Sequence, residues 1–561
     1  MAERHTHYQK PSLISQQDHK PHIAYKYWRT LQIDSLFLNV NKSKRRYVKT
    51  FPSVRIRTGT SFESSCSFAM LKKQKSFTRI IITNGEKMEH IAKLLRIKAI
   101  KNFICPFVDI EKDMVHIFKR SSPIRKNLSH IGLQLKSDRN GKQSLSSVFL
   151  NNLTRFKALT SLYFFNFSSP SPFREKNFID NLRLETLEAL HIHFVWMGKS
   201  FLINTTKLLH SHPSLKELSV TAVEWKVSEN DKEFKDFVNS IGALKKLTSL
   251  RLTNLFFNPD SLDQSLLLET ISQLSLLTSL TLGMNMLTKN QYPNLENLCK
   301  KLLNLKTLYF EFDMLELYPD FFKYLQNLTK LRQFHFKASF QEKLEPSLPQ
   351  MESFFKLHPQ LEKFSFLVFQ TPNLNEENLN QLFNYLTYCP KLSYLDLRVR
   401  KLDLSSQKII TFDNLSKSLN YLKSLQDLSI NLHLWDPVHC TLQSLIESMK
   451  NLTRVQNLTL QLPFVKEKCT ATALAFFESI SYLRQLKTLT IEFCLDQSID
   501  LEIEVFEFLL ERLPKLKEFS ILYHDLTKVN NGAITPYIYL NKKAVEKYRL
   551  SSFILTNVVD Y

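Results

Sequence analysis

LTSLTLGMNML, residues 277–287, reads L-x-x-L-x-L-x-x-N-x-L without a mismatch. Leu280 and Leu282, two apart, fall on the same side of an extended chain, so the stretch predicts a short strand with one apolar face. Working outward, the core pattern apolar-x-x-apolar-x-apolar starts again at Leu128, Leu159, Leu187, Leu215, Leu247, Leu305, Leu331, Leu361, Leu392, Leu425, Val455, Leu486, Leu516 and Leu550. With Leu277 that makes fifteen starts, 26 to 34 residues apart. A spacing this even predicts one structural unit used many times.

Between strands the apolar period becomes helical. In LEIEVFEFLLERLPKL (501–516), Val505, Leu509 and Leu513 recur at i, i+4 and i+8, with Phe506 and Leu510 beside them. NPDSLDQSLLLETISQL (258–274) opens on Asn258, Pro259 and Asp260 as cap and first-turn residues, and NLNEENLNQLFNYLTYCPKL (373–392) stops near Pro390. Neither element can bury its apolar side alone, so successive units are expected to stack, strands inside and helices outside.

On these motifs, residues 128–561 resemble the leucine-rich repeat superfamily, and the helical unit of about 30 residues is similar to its ribonuclease-inhibitor-like class. The resemblance implies an α/β leucine-rich repeat solenoid, a horseshoe with an inner parallel sheet, outer helices and about fifteen repeats. One departure stands out. The place of Asn285 is taken elsewhere by Val195, Leu255, Asp313, Arg400 and Pro463, with Cys494 alone keeping the Asn/Cys preference. In the family that residue bonds loop backbone, so irregular loops are expected here. Residues 60–127 read as degenerate repeats or an N-terminal cap: FTRIIITN (77–84) alternates like a strand, GEKMEHIAKLLRI like a helix, and Phe103 and Cys105 fit a next strand. Residues 1–59 read as a mobile basic arm.

Charge is uneven. The formal net charge is +22, yet residues 1–127 hold 26 Lys and Arg against 9 Asp and Glu, which leaves only +5 for the other 434 residues. The chain therefore reads as a basic head on a nearly neutral body. NKSKRRYVK contributes Lys42, Lys44, Arg45, Arg46 and Lys49, followed by Lys72, Lys73 and Lys75. Such clusters attract an acidic protein tail, an anionic membrane or nucleic acid, and can act as nuclear import signals. No nucleic-acid-binding fold signature accompanies them.

Seven widely spaced cysteines, an odd number with no C-x-x-C pair, point to a reducing compartment. MAERHTHYQK is followed by no apolar signal region, and no uncharged apolar window reaches membrane-spanning length, so an intracellular protein, cytoplasmic or nuclear, is expected. The Asn-Leu-Thr sequons at Asn327 and Asn451 then carry no glycan. With 43 Phe and only eight Gly, the composition disfavours a Gly-rich phosphate loop; the Phe, Asn and Lys excess is read as coding bias.

Catalytic signatures are missing from the sequence. No G-x-G-x-x-G, G-x-S-x-G or H-E-x-x-H occurs, and Gly141-Lys142 continues with Gln143 where a phosphate loop needs Ser or Thr. His191 and His193 share a strand face but lack a third ligand, and His439-Cys440 with Cys469 follows no metal or protease spacing. Some members of the resembled family activate a small GTPase, but no local motif carries that residue over. HIAYKYWRTL, around Trp28, matches poorly the Leu-Pro-led helix of an F-box. No enzyme activity, metal or cofactor is expected.

What remains is a surface. The third, fifth and seventh places of each pattern turn away from the core onto the expected concave face. They hold Tyr163, Phe165, His191, His193, Arg251, Tyr309, His335, Lys337, Tyr394 and Arg398 in the first ten units. Later units offer Asp427, Ser429, Thr459, Thr490, Glu492 and Ser520. Aromatic and Arg side chains dominate protein-binding hot spots, and Glu217, Glu311 and Asp396 break up any uniformly basic groove. The expectation is a non-catalytic scaffold that holds a protein on that face, with the head for an acidic partner. A nuclear or nucleic-acid-associated factor and a ubiquitin-ligase substrate adaptor are the alternatives.

Overall fold

The computed structural model describes residues 30–33, 53–56, 79–82, 102–108, 128–135, 153, 156–166, 184–225, 231–255, 264–315, 320–340, 347–368, 376–399, 412–432, 439–440, 443–465, 470–495, 503–525 and 552–557. The chain divides into two compact units, Met1–Leu135 with Arg155–Leu159, and Lys136–Thr154 with Thr160–Tyr561. In the first, strands β1 (Thr30–Ile33), β2 (Ser53–Ile56), β3 (Arg79–Ile82), β4 (Asn102–Val108) and β5 (His130–Leu135) pair in chain order, all parallel. Two of them, β1 and β2, fall within residues 1–59. The helical stretch expected after β3, and Lys42, Lys44, Arg45, Arg46, Lys49, Lys72, Lys73 and Lys75, lie outside the described residues.

The second unit carries β6 (Ser161–Asn166), β7 (Ala189–Met197), β8 (Glu217–Trp225), β9 (Ser249–Leu255), β10 (Ser279–Leu287), β11 (Thr307–Leu315), β12 (Gln333–Phe340) and β13 (Lys363–Val368). It continues with β14 (Tyr394–Val399), β15 (Asp427–Asn431), the short β16 (His439–Cys440), β17 (Asn457–Val465), β18 (Thr488–Leu495), β19 (Glu518–Asp525) and β20 (Ser552–Asn557). Apart from β16, which pairs only with β17, these form one parallel run of fourteen strands among the described residues, each beside the next in chain order. Every strand from β5 to β20 except β16 begins two residues after one of the fifteen pattern starts. The strands are in phase, so Ser249 faces Ser279, Ser279 faces Thr307 and Thr307 faces Gln333.

Helices join the strands: α1 (Lys199–Ser211), α2 (Lys232–Gly242), α3 (Ser265–Ser272), α4 (Tyr292–Lys301), α5 (Phe321–Leu325) and α6 (Leu348–Leu357). After them come α7 (Glu376–Tyr385), α8 (Asp413–Tyr421), α9 (Gln443–Met449), α10 (Thr470–Ser481) and α11 (Ile503–Arg512). Consecutive helices touch, forming a layer over the apolar side of the sheet. Local chemistry sets their ends. Pro293 and Pro349 sit in the first turns of α4 and α6, where a missing N–H costs nothing. The residues 386–388 that follow α7 tighten to a 3₁₀ turn before Pro390. The residues proposed to open α3, Asn258 to Asp260, lie outside the described residues.

Between the layers lies a continuous apolar core. Leu280, Leu282, Leu308, Phe310, Phe334 and Phe336 are buried from the strands, and Phe321, Phe322, Phe354 and Phe355 from the helices. Phe321 packs against Phe310, Phe312, Phe336 and, edge-on, Phe322 with centroids 5.1 to 6.4 Å apart, while Phe336 stacks on Phe366 at 5.6 Å. Each such ring contributes about 1.5–3 kcal/mol by leaving water. Much of the Phe excess is therefore structural at these positions.

The horseshoe expectation is corrected. The sheet of the second unit is extended, lined by helices, and neither strongly curled nor closed, which does not fit a leucine-rich repeat solenoid of the ribonuclease-inhibitor-like class. The reason is physical: L-x-x-L-x-L dictates a strand with one buried side followed by a crossover, which any helix-covered parallel sheet requires. Curvature depends instead on how much wider the outer layer packs than the strand spacing of about 4.8 Å, and on loops held by the Asn that most units lack. The architecture is an α/β parallel sheet with helical crossovers. Among the described residues no helix is long and apolar enough to cross a membrane.

Candidate functional site

Because side chains alternate across a strand, burying Leu308, Phe310 and Phe312 turns Thr307, Tyr309 and Glu311 to the other side of the sheet. In-phase pairing then lines up equivalent residues. One row runs Tyr163, His191, Ser219, Arg251, Thr281, Tyr309, His335, Ser365, Asp396 and Ser429, each opposite the next. A second row holds Phe165 beside His193 and, further along, Glu311, Lys337, Leu367, Arg398 and Asn431. Tyr394 belongs to a third row, between Lys363 and Asp427. Since the sheet is not strongly curled, this face is not the concave surface expected.

Three clusters form on it. Tyr163 stacks flat on His191, centroids 4.0 Å apart, and Glu217 Oε1 lies 3.8 Å from His191 Nε2. Burial raises the Glu217 carboxyl above its ordinary range, an effect Arg251 opposes. Burial also lowers His193. Among the described residues no group of three His, Cys, Asp or Glu is placed to hold a metal.

The central cluster joins Tyr309, His335 and Tyr394, with His335 5.8 Å from the first ring and 6.0 Å from the second. Burial, helped by Lys363, pushes the His335 imidazole down to about 4 against the opposing pull of Asp396. Both tyrosine hydroxyls are raised, mainly by burial and next by the carboxylates Glu311 and Asp396. Near neutral pH these rings are uncharged.

Charges at the margin are paired. Lys337 bonds Glu311, Arg398 Nε donates to Asp396 Oδ1 at 3.0 Å, and Tyr394 donates to Asp396 Oδ2 at 3.3 Å. Asp396 is only 4% exposed, so two donors on one carboxylate offset its lost hydration. Beyond it, a polar ladder crosses later strands: Asn457 donates to Asp427, Asn431 to Gln461, and Gln461 to Glu492. Sequence reasoning saw Asp396 only as an interruption and missed the ladder, though equal phase offsets in the pattern put these residues side by side.

Elsewhere, Cys299 and Cys389 are buried and free, their thiols raised by burial, Cys389 to about 12. His212 and His358 are buried beneath the turns: His212 Nε2 accepts from the Leu184 N–H at 3.1 Å, and His358 Nε2 lies 3.1 Å from the Leu328 carbonyl. Each links one unit to the preceding one. No protein-family model matches the chain, and no curated protein is significantly similar to it.

Proposed function

We propose that this protein is a non-catalytic, intracellular scaffold that holds a protein partner across the face of the sheet turned away from the helices, with its basic N-terminal region attaching an acidic partner. The observation that carries the reading is the Tyr309, His335 and Tyr394 cluster, flanked by Arg251, Lys337 and Arg398. Rings of this kind, already fixed by neighbours, lose little conformational freedom on binding and supply most of the energy of a protein interface. Their pKa directions support binding over proton transfer, because none is poised near neutrality.

The test is site-specific photo-crosslinking from position 365, at the centre of this face, against position 276, in the turn that follows α3 at the edge of the sheet, in cells. A protein adduct from position 365 that Tyr309→Ala abolishes is the expected result. Adducts from position 276 alone would place the partner elsewhere.

A further inference from the structure

A second surface lies along one edge of the sheet. Each helix from α1 to α11 is followed by a tight turn in which the N–H of the pattern-start residue donates to a carbonyl three residues back, as Leu247 to Leu244 and Leu425 to Leu422. Each turn is also bonded to the turn before it: Thr248 N–H donates to Lys216 O, Thr278 N–H to Thr248 O, and the series continues to Lys517 N–H on Lys487 O. The turns thus form a rigid file, eleven long, with neighbours about 4.8 Å apart and a total length of about 48 Å.

Its charge is one-sided. In the six-residue windows that run from four before to one after each start between Leu215 and Leu516, there are fifteen Lys and Arg and one acid, Glu362. Those turns carry +14, while the whole of 128–561 nets only +5, so the remainder of that stretch is net acidic. Helix C-termini also end here, and cations there are favourable for structural reasons alone. The magnitudes decide the matter: eleven helix ends at about −0.5 each offset roughly 5 to 6 charges, leaving an excess near +8. Lys245, Lys246, Lys391, Lys423, Arg454 and Arg484 are exposed, and none makes an ion pair with a described residue.

Aromatic rings punctuate this row. Tyr388, Tyr421 and Tyr482 occupy the same place, four residues before their starts, and Tyr421 and Tyr482 are 63% and 48% exposed. Lys356 sits 5.2 Å over the Tyr388 ring and Lys450 5.8 Å over that of Tyr482. An acidic peptide would use the cations and leave the rings idle. A flexible strand of alternating phosphates and flat bases uses both, by ion contact and by stacking. We propose that this edge binds single-stranded nucleic acid without sequence preference, phosphates along the Lys/Arg file and bases on the tyrosines.

The experiment is fluorescence anisotropy with the full chain and a fluorescein-labelled 20-nucleotide oligouridine over a range of salt. Single strands lose affinity with salt at a slope of about 0.7 per phosphate contact. The combined Lys391→Gln, Lys423→Gln, Arg454→Gln and Arg484→Gln variant should lower the slope by about 2.8, and Lys245→Gln with Lys246→Gln, made separately, by about 1.4. Tyr421→Leu with Tyr482→Leu should weaken binding about tenfold with the slope unchanged, the signature of lost stacking. Slopes and affinities equal to wild type in all three variants would overturn the proposal and leave binding to the N-terminal cations. A 20-residue polyglutamate that competes as well as the oligonucleotide, with the tyrosine variant inert, would overturn it in favour of an acidic protein.

Discussion

His335 offers a test of the central cluster that needs no partner. Its imidazole is held down at about 4 from an ordinary 6.5, chiefly because the ring is covered by its neighbours on the sheet. A depressed histidine is neutral in the fold, and below pH 6.5 the unfolded chain takes up a proton that the fold refuses. The stability it contributes is therefore complete above about pH 6.5 and is lost as pH falls toward 4. Taking those two values, the difference between pH 7 and pH 5 is about 1.8 kcal/mol, or about 1 to 2 kcal/mol once screening at a partly covered ring is allowed for. His335→Gln removes the titration and keeps a polar side chain of similar reach. Hydrogen–deuterium exchange of peptides spanning β11 to β13, read at the same pH for both proteins, isolates the effect, since intrinsic exchange chemistry cancels. Wild type should lose protection relative to the variant by five- to thirtyfold between pH 7 and pH 5. Parallel loss in both proteins would mean that the ring is hydrated in the fold and that the cluster is looser than its distances imply.

Three further outcomes follow from the packing and the face. Phe321→Ala empties the junction of Phe310, Phe312, Phe322 and Phe336 and should cost about 3–5 kcal/mol, read by urea denaturation. Gly242 closes α2 where an added Cβ would lie 2.7 Å from the Thr270 Cγ2, so Gly242→Ala should lower stability by about 1–3 kcal/mol, and Thr270→Ser, which removes that methyl, should restore part of it. Arg251→Ala, Tyr309→Ala and Tyr394→Ala should each weaken a crosslink-identified partner by about 1–3 kcal/mol in titration calorimetry, and unchanged affinity in all three would move the site off this face.

Much of the layered arrangement was legible because alternation is a local rule: Leu280 and Leu282 cannot share a side unless the chain is extended, and an even spacing of the pattern repeats that result down the chain. Membership of the Tyr309 row was legible for the same reason. Curvature was not, since it depends on how the Phe-filled helical layer packs, a property of several units at once, and the single Asn285 does not decide it. Nor was the approach of the Tyr394 ring to His335, 6.0 Å between centroids across the intervening β13. The charged edge was hidden by addition: a body that sums to +5 looks neutral until its turns are separated from its helices and strands.

The two halves of the sheet face differ in what they leave for a partner. From β15 to β18 the polar side chains are bonded to one another, with Asn457 on Asp427, Asn431 on Gln461 and Gln461 on Glu492, and Asp427, Asn431 and Glu492 are less than a tenth exposed. Those groups have exchanged water for internal partners, so a ligand there would have to break existing hydrogen bonds to form its own, for little net gain. From β9 to β14 the row runs Arg251, Thr281, Tyr309, His335, Ser365 and Asp396, with Tyr394 beside it; its rings leave apolar surface that gains on losing water, and Arg251 offers donors to a partner's acceptors. On the proposed reading the ladder is a fixed wall and the aromatic row the place to bind, so substitutions at Asn431 or Gln461 should loosen the sheet while those at Tyr309 should weaken the proposed partner's binding.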